Sequence, residues 1–245
     1  MLIDAFLYNG ERDMLDLRVA ALRQHVDRMV AVCCDLTHQS DPNPIPDVPA
    51  NVELLVVEAA PIPEGRGGNG TPYYQWIERQ HRDGVRQIKA NGSDVVLVSD
   101  VDEIPDDRTL DAIACAVPAG PVAVPMRMHG FALNYLYPST WTGTTASTGA
   151  LLAPQAHRNW RHKLTKVGAG VHLSWMGDID EKRRKLNSFS HAELADLDLE
   201  SCYSNGIHAN GEVMKVLSRS EVLSLDWPLD LACYSIPPSW WAPEV

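Results

Sequence analysis

The opening of the chain constrains its fold more than any other segment. An apolar run from Leu2 to Tyr8 is closed by Asn9-Gly10. From Glu11 to His25 the periodicity changes, and Met14, Leu15, Leu17, Ala21 and Leu22 form an i, i+3, i+4, i+7 stripe. A second apolar run follows from Met29 to Cys34. Strand, helix and strand within 35 residues predict two parallel strands joined by a right-handed crossover. Asn51 to Val57 reads as a third strand, Tyr73 to Ala90 as a helix, and Asp94 to Val98 as a fourth strand ending in acid. Residues 40–50, with four prolines, and the Gly- and Pro-rich stretch from Pro61 to Pro72 read as loops. The second half is more mixed. Pro118 to Tyr137 alternates between prolines, 140–150 is a Thr/Ser/Gly stretch, and Val171 to Met176 is a short strand. Asp178 to Leu186 and Asp196 to Ser204 predict short helices. One α/β domain accommodates all of this.

Composition narrows the class further. With 245 residues, 45% hydrophobic and 22% charged, the chain is long enough for a substantial core and too apolar for disorder. The formal net charge of −11 argues against a broad polyanion-binding protein. No apolar run reaches the ~20 residues of a bilayer span, and no cationic stretch precedes an apolar core near the N-terminus. Five cysteines, an odd number without CxxC spacing, predict buried free thiols, and with them a cytoplasmic location.

Chemistry concentrates where the fourth strand ends, in Ser99-Asp100-Val101-Asp102-Glu103-Ile104-Pro105. In extended backbone the side chains at i and i+2 share a face, so Asp100 and Asp102 are expected to aim at one hard cation, Mn²⁺ or Mg²⁺. The plainer alternative is an acidic loop capping the next helix, a role that suits Asp106 or Asp107. From Arg158 to Lys185 eight Lys/Arg face three acids, a local excess of +5 in an acidic chain. That excess suggests an anion site, with Lys185 as its leading residue, although a solvated cationic helix face at 182–185 accounts for the pattern equally well. His172 and His191 lie in the same half and are candidates to complete a metal shell. No GxSxG, HExxH, P-loop or GxGxxG signature is present.

Several ordered blocks together resemble glycosyltransferase family 17. They are Asp4-Ala-Phe6-Leu-Tyr8-Asn9 with Leu15-Asp-Leu17-Arg18, then Thr37-His38, Glu78 to Arg82, and Ser99 to Pro105. Val171-His172-Leu-Ser174-Trp and Lys185-Leu-Asn-Ser188-Phe-Ser-His191 follow. The resemblance implies a GT-A fold in a single domain over 1–245. Residues 1–105 would form a nucleotide-binding half with a mainly parallel sheet, and 106–226 an acceptor-side half. Residues 227–245 would form an aromatic, Pro-rich tail that either packs on the domain, mediates a homodimer or lines an acceptor groove. It implies transfer with inversion from a UDP-sugar, such as UDP-GlcNAc; the acceptor hydroxyl is expected on a glycan, protein, small metabolite or modified nucleobase. Asp100 and Asp102 match the family's DxD and would hold the metal with His172 or His191. Tyr8, Asn9, Glu11, Arg18, Arg82, Asp100 and Lys185 would contact the donor. Asp178, Asp180 and Glu181 are the candidate bases. Two other readings compete: a sugar-nucleotidyltransferase, and a non-catalytic carbohydrate-binding protein with a degenerate site.

Overall fold

Alternation along the first strands sets the layers. The computed structural model describes residues 1–65, 75–188, 197–227 and 236–242. β1 (Leu2–Leu7) turns Ile3, Ala5 and Leu7 into one buried cluster and Phe6 into another, with Tyr8 just beyond the strand on the Phe6 side. A strand buried on both faces belongs inside a sheet covered by helices. The crossover helix α1 (Arg12–Leu22) supplies Met14, Leu15, Leu17, Ala21 and Leu22 to the Phe6 side, as its stripe predicts. β1 pairs in parallel with β2 (Arg28–Cys34) and with β4 (Val95–Asp100), and β2 pairs in parallel with β3 (Glu53–Val57). The four strands read from the sequence are therefore all present, in the order β4-β1-β2-β3.

The Thr/Ser/Gly stretch is a strand as well. β8 (Trp141–Thr148) lies antiparallel between β4 and β6 (Val122–Gly130) and is almost wholly buried. Its threonines are β-branched and suit a pleated surface, which outweighs their polarity once they are covered. Pro125 sits where the β6–β8 register shifts, because proline has no N–H to give the ladder. The result is a mixed α/β domain with one central sheet and seven α-helices among the described residues.

The long helix expected over Tyr73 to Ala90 is shorter. α2 (Trp76–Asp83) passes into a 3-10 turn over Gly84–Gln87, and residues 73 and 74 lie outside the described residues. The described parts of the tail pack on the body: Trp227 and Trp240 are buried, and Trp241 lies against the main cluster. Cys33 and Cys34 are buried free thiols as expected, but Cys115, on α3 (Leu110–Ala116), is exposed, and Cys233 lies outside the described residues. No helix among the described residues is long and apolar enough to cross a membrane.

Candidate active site

The site begins at two strand ends. β1 and β4 run in parallel with Leu7 opposite Asp100, so both chains leave the sheet on the same side. In open α/β sheets this carboxyl edge is where ligands bind. After Asp100 the backbone turns at Val101 and Asp102, with the Val101 N–H donating to the Leu7 carbonyl at 3.0 Å. It re-enters the sheet as β5 (Glu103–Pro105), which pairs antiparallel with β10 (Gly170–Ser174). That pairing sets His172 opposite Glu103, and the Leu173 N–H donates to the Asp102 carbonyl at 2.8 Å. The sheet thus carries a histidine from the second half to the acidic turn.

Each acid on this turn has its own partners. One Asp100 oxygen accepts from Arg82 and the other from Arg158, both at 2.8 Å. Asp102 accepts from Lys185 at 2.9 Å, and its other oxygen lies 3.5 Å from His172 Nε2. Glu103 is fully buried and accepts from Arg158 at 2.6 Å and from the Trp141 indole at 2.8 Å. Burial works to raise the pKa of Asp100, yet Arg82 and Arg158 hold it far below the usual carboxylate range. Asp102 behaves likewise, with Lys185 and His172 overriding its burial.

The turn is also braced from beneath. Arg18, on α1, is fully buried and pairs with Asp4 at 2.6 Å. It also donates to Ser99 Oγ at 2.7 Å and to the carbonyls of Asp100, Val101 and Glu103 at 3.3, 3.2 and 2.8 Å. Above the turn opens a cavity of about 600 Å³, lined by residues from both halves of the chain. Five Lys/Arg and six Asp/Glu line it among the described residues.

The family comparison falls on this architecture. The model of Glycosyltransferase family 17 matches residues 1–201, which include every side chain of the acidic turn and its partners. The chain belongs to glycosyltransferase family 17. It is accordingly an enzyme, a glycosyltransferase. Comparison with curated proteins gives no match.

The family 17 enzyme gathers many of the expected residues and leaves others outside. Asn9, Glu11, Arg82, Asp100, Asp102, His172, Glu181 and Lys185 line the cavity. Arg18 and Tyr8 do not: Arg18 spends its donors beneath the turn, and Tyr8 is buried in the core with its pKa pushed up to about 12 by burial and by Glu11. Neither side chain is placed to touch a donor. Asp180 is an exposed partner of Arg183 on α5 (Ile179–Ser188). Asp178 Oδ1 accepts from the Glu181 N–H at 2.9 Å while Glu181 Oε2 accepts from the Asp178 N–H at 2.8 Å, a reciprocal cap of α5. Only Glu181 of those three acids faces the cavity. His191 lies outside the described residues.

The extended backbone expected from Asp100 to Asp102 gives way to a turn, and the two carboxylates engage different cations. For a divalent ion, Asp102 and His172 fit as neighbouring O and N donors, whereas both Asp100 oxygens are engaged by arginines. Among the described residues no group of three or more His, Cys, Asp or Glu could hold a metal. A two-ligand protein site leaves the remaining positions to water and phosphate oxygens, the usual arrangement for Mg²⁺. Asp106 plays the plainer role, accepting from the Arg108 N–H at 3.0 Å as a cap.

Sequence reasoning misses several residues of the site. Arg158 lies in the cationic stretch with nothing to single it out, and Glu103, fully buried beneath the turn, has only its place in the acidic motif. His38 stood in the Thr37-His38 block, and its ring nitrogens are buried with no hydrogen-bond partner among the described residues. His208 carried no sequence signal.

Proposed function

We propose that the enzyme is a metal-dependent, inverting transferase of GT-A type. It moves GlcNAc or another hexose from a UDP-sugar to a hydroxyl on a glycan, protein, small metabolite or modified nucleobase. The observation that carries the reading is the meeting of Asp102, His172 and Lys185 at the carboxyl ends of the central strands. A cavity of about 600 Å³ suits a ligand of nucleotide-sugar size. The lining supports the cation requirement: six acids against five bases would repel a diphosphate unless a divalent ion entered with it.

Asp102 and His172 are the residues that would hold the ion. When bound, it supplies Lewis-acid stabilisation of the charge that develops on the leaving diphosphate. The protein adds fixed cations. Lys185 stays protonated, because Asp102 outweighs the effect of its burial. Arg161 is lowered to about 10 by burial and by the neighbouring Arg158 charge, and remains a cation at neutral pH. Asp100 orients Arg82 and Arg158 by giving each a separate oxygen. Such preorganised charge favours the transition state because it needs no rearrangement as the bond breaks. Residues 1–105 form the nucleotide side in this proposal and the second half the acceptor side. The nucleotidyltransferase alternative calls for a cationic loop after the first strand, but Arg12 pairs with Asp16 on the exposed face of α1.

Calorimetry with UDP tests the proposal. Binding is expected with Mn²⁺ and reduced at least about tenfold in EDTA or in Asp102→Ala, a loss of roughly 1.4 kcal/mol or more. Equal affinity with EDTA and with Mn²⁺ overturns the metal assignment. Slow hydrolysis is expected with one of UDP-GlcNAc, UDP-Glc, UDP-Gal or GDP-Man, and no binding or turnover of any overturns the donor assignment.

A further inference from the structure

We infer that His208 is the general base that takes the proton from the attacking acceptor hydroxyl, in the cavity that Trp175 and Trp240 also line. The inference rests on the transferase reading above and adds the residue that completes it. His208, Trp175 and Trp240 all line the cavity, and the Phe131 ring stands 5.9 Å from His208 and 5.8 Å from Trp175. Two of these positions are strained: Phe131 and Trp175 both have φ of +62°, a region bulky residues rarely enter. Such strain persists only where the surroundings enforce it, and it concentrates at functional sites.

The tautomer of His208 follows from its neighbours. Its Nδ1 lies 3.1 Å from Asn210 Oδ1. The amide orientation of Asn210 is set by the Glu212 N–H, which donates to Oδ1 at 3.1 Å, and by Nδ2, which donates to the Tyr137 hydroxyl at 2.5 Å. An amide oxygen only accepts, so Nδ1 carries the proton and Nε2 keeps the lone pair. The Asn210 N–H also approaches Nδ1, but at 3.4 Å it is the weaker contact. Nε2 is buried and has no hydrogen-bond partner among the described residues. A buried acceptor left unpaired is costly, and a hydroxyl donor on a bound acceptor would recover that loss. The ring is also fixed in place. A Cβ at Gly130 would stand 3.0 Å from His208 Cδ2, so the end of β6 leaves the imidazole no room for a larger residue there. Burial keeps the ring neutral, with its pKa below the ordinary histidine value.

Asp100 and Asp102 are poor proton acceptors by comparison, since the cations they hold keep them ionised. In the step proposed, the acceptor oxygen bonds to the anomeric carbon while its proton moves to His208 Nε2. The bond from that carbon to the phosphate oxygen breaks, and its electron pair leaves on the nucleoside diphosphate. The imidazolium then returns its proton to solvent.

The test uses the intact chain, with water as acceptor and whichever of the four nucleotide sugars above the wild type hydrolyses. His208→Gln is expected to lower kcat about 100-fold, with KM and UDP affinity within twofold of wild type. Imidazole added to His208→Gly is expected to restore the rate at least about tenfold, a rescue that wild type and Asp102→Ala do not show. If His208→Gly does not fold, Asn210→Leu serves instead, with an expected loss of about tenfold in kcat at unchanged UDP affinity. A His208→Gln rate above half that of wild type overturns the inference and leaves the donor assignment intact, as does a folded, UDP-binding His208→Gly without rescue, or a fully active Asn210→Leu. A wild type that neither binds nor hydrolyses any of the four overturns both.

Discussion

Arg18 illustrates how little a residue's type says about its task. A cation on the first helix of an α/β protein is a natural candidate for an anion ligand. Its position argues otherwise, since residue 18 follows Met14 by four and Leu15 by three and so lies on the buried stripe. The guanidinium is buried with Asp4 and satisfies three carbonyls of the acidic turn, a task that needs five donors in a planar fork. Arg18→Met leaves Asp4 as an uncompensated buried charge and is expected to cost about 3–5 kcal/mol in urea denaturation. Asp4→Asn combined with Arg18→Met is expected to cost less than the sum of the single changes, because the stranded charge is gone. A purely donor-contacting Arg18 would show the opposite pattern, with stability unchanged and UDP affinity lost.

At the scale of elements, α2 shows packing overriding propensity. Gly84 caps the helix and abuts β3: a Cβ there would lie 2.1 Å from Val57 Cγ2. Helix propensity alone favours alanine over glycine by about 1 kcal/mol. The overlap with a buried valine instead predicts that Gly84→Ala destabilises by about 1–3 kcal/mol, seen as a lower denaturation midpoint. Val57→Ala in the same chain is expected to recover part of that loss, and a stabilised Gly84→Ala single variant contradicts the packing account. The contact matters to the site because Arg82, two residues earlier, reaches Asp100 from this helix. β8 makes the same point from the other side. Its Thr/Ser/Gly sequence carries no strand signal of its own, and pairing with β4 and β6 supplies what the local pattern lacks.

Across the whole molecule, buried histidines make acid stability a collective property. His81 Nε2 donates to the Val32 carbonyl at 2.6 Å, and His129 Nδ1 donates to the Leu133 carbonyl at the same distance. Burial lowers each pKa to about 3, so both rings are neutral in the folded chain at any mild pH. The unfolded chain takes up those protons from about pH 6.5 downward. Stability contributed by the neutral rings is therefore complete above that pH and is lost as pH falls toward 3, by about 1.4 kcal/mol per pH unit per histidine. Urea midpoints between pH 7 and 5 are expected to fall, and His129→Gln is expected to flatten the slope by up to about one proton. An unchanged slope in that variant contradicts the assignment. The net charge of −11 looks different at this scale too. Cations of the +5 segment divide their tasks: Arg158 and Lys185 hold the acidic turn, Lys182 is buried beside Tyr203, and Arg183 pairs with Glu200 on the surface. The folded chain thus sorts charges that the sequence merely lists in order, and the cavity it forms carries both signs.

Local pattern by itself determined the parallel β-α-β opening, the strand that leads into Asp100 and Asp102, and the family to which the chain belongs. Those features are short-range, written in periodicity and in contiguous motifs, so they are legible before folding. Tertiary structure alone decided which acid meets which cation, that Arg18 supports the turn rather than a ligand, and that Asp178 and Asp180 cap or face solvent. It also brought His208 and Trp240 to a cavity whose first wall is residue 7. The acids of the turn meet cations far along the chain, Arg158 at 58 positions from Asp100 and Lys185 at 83 from Asp102, through strand order and register, and no spacing along the chain encodes a distance across the sheet.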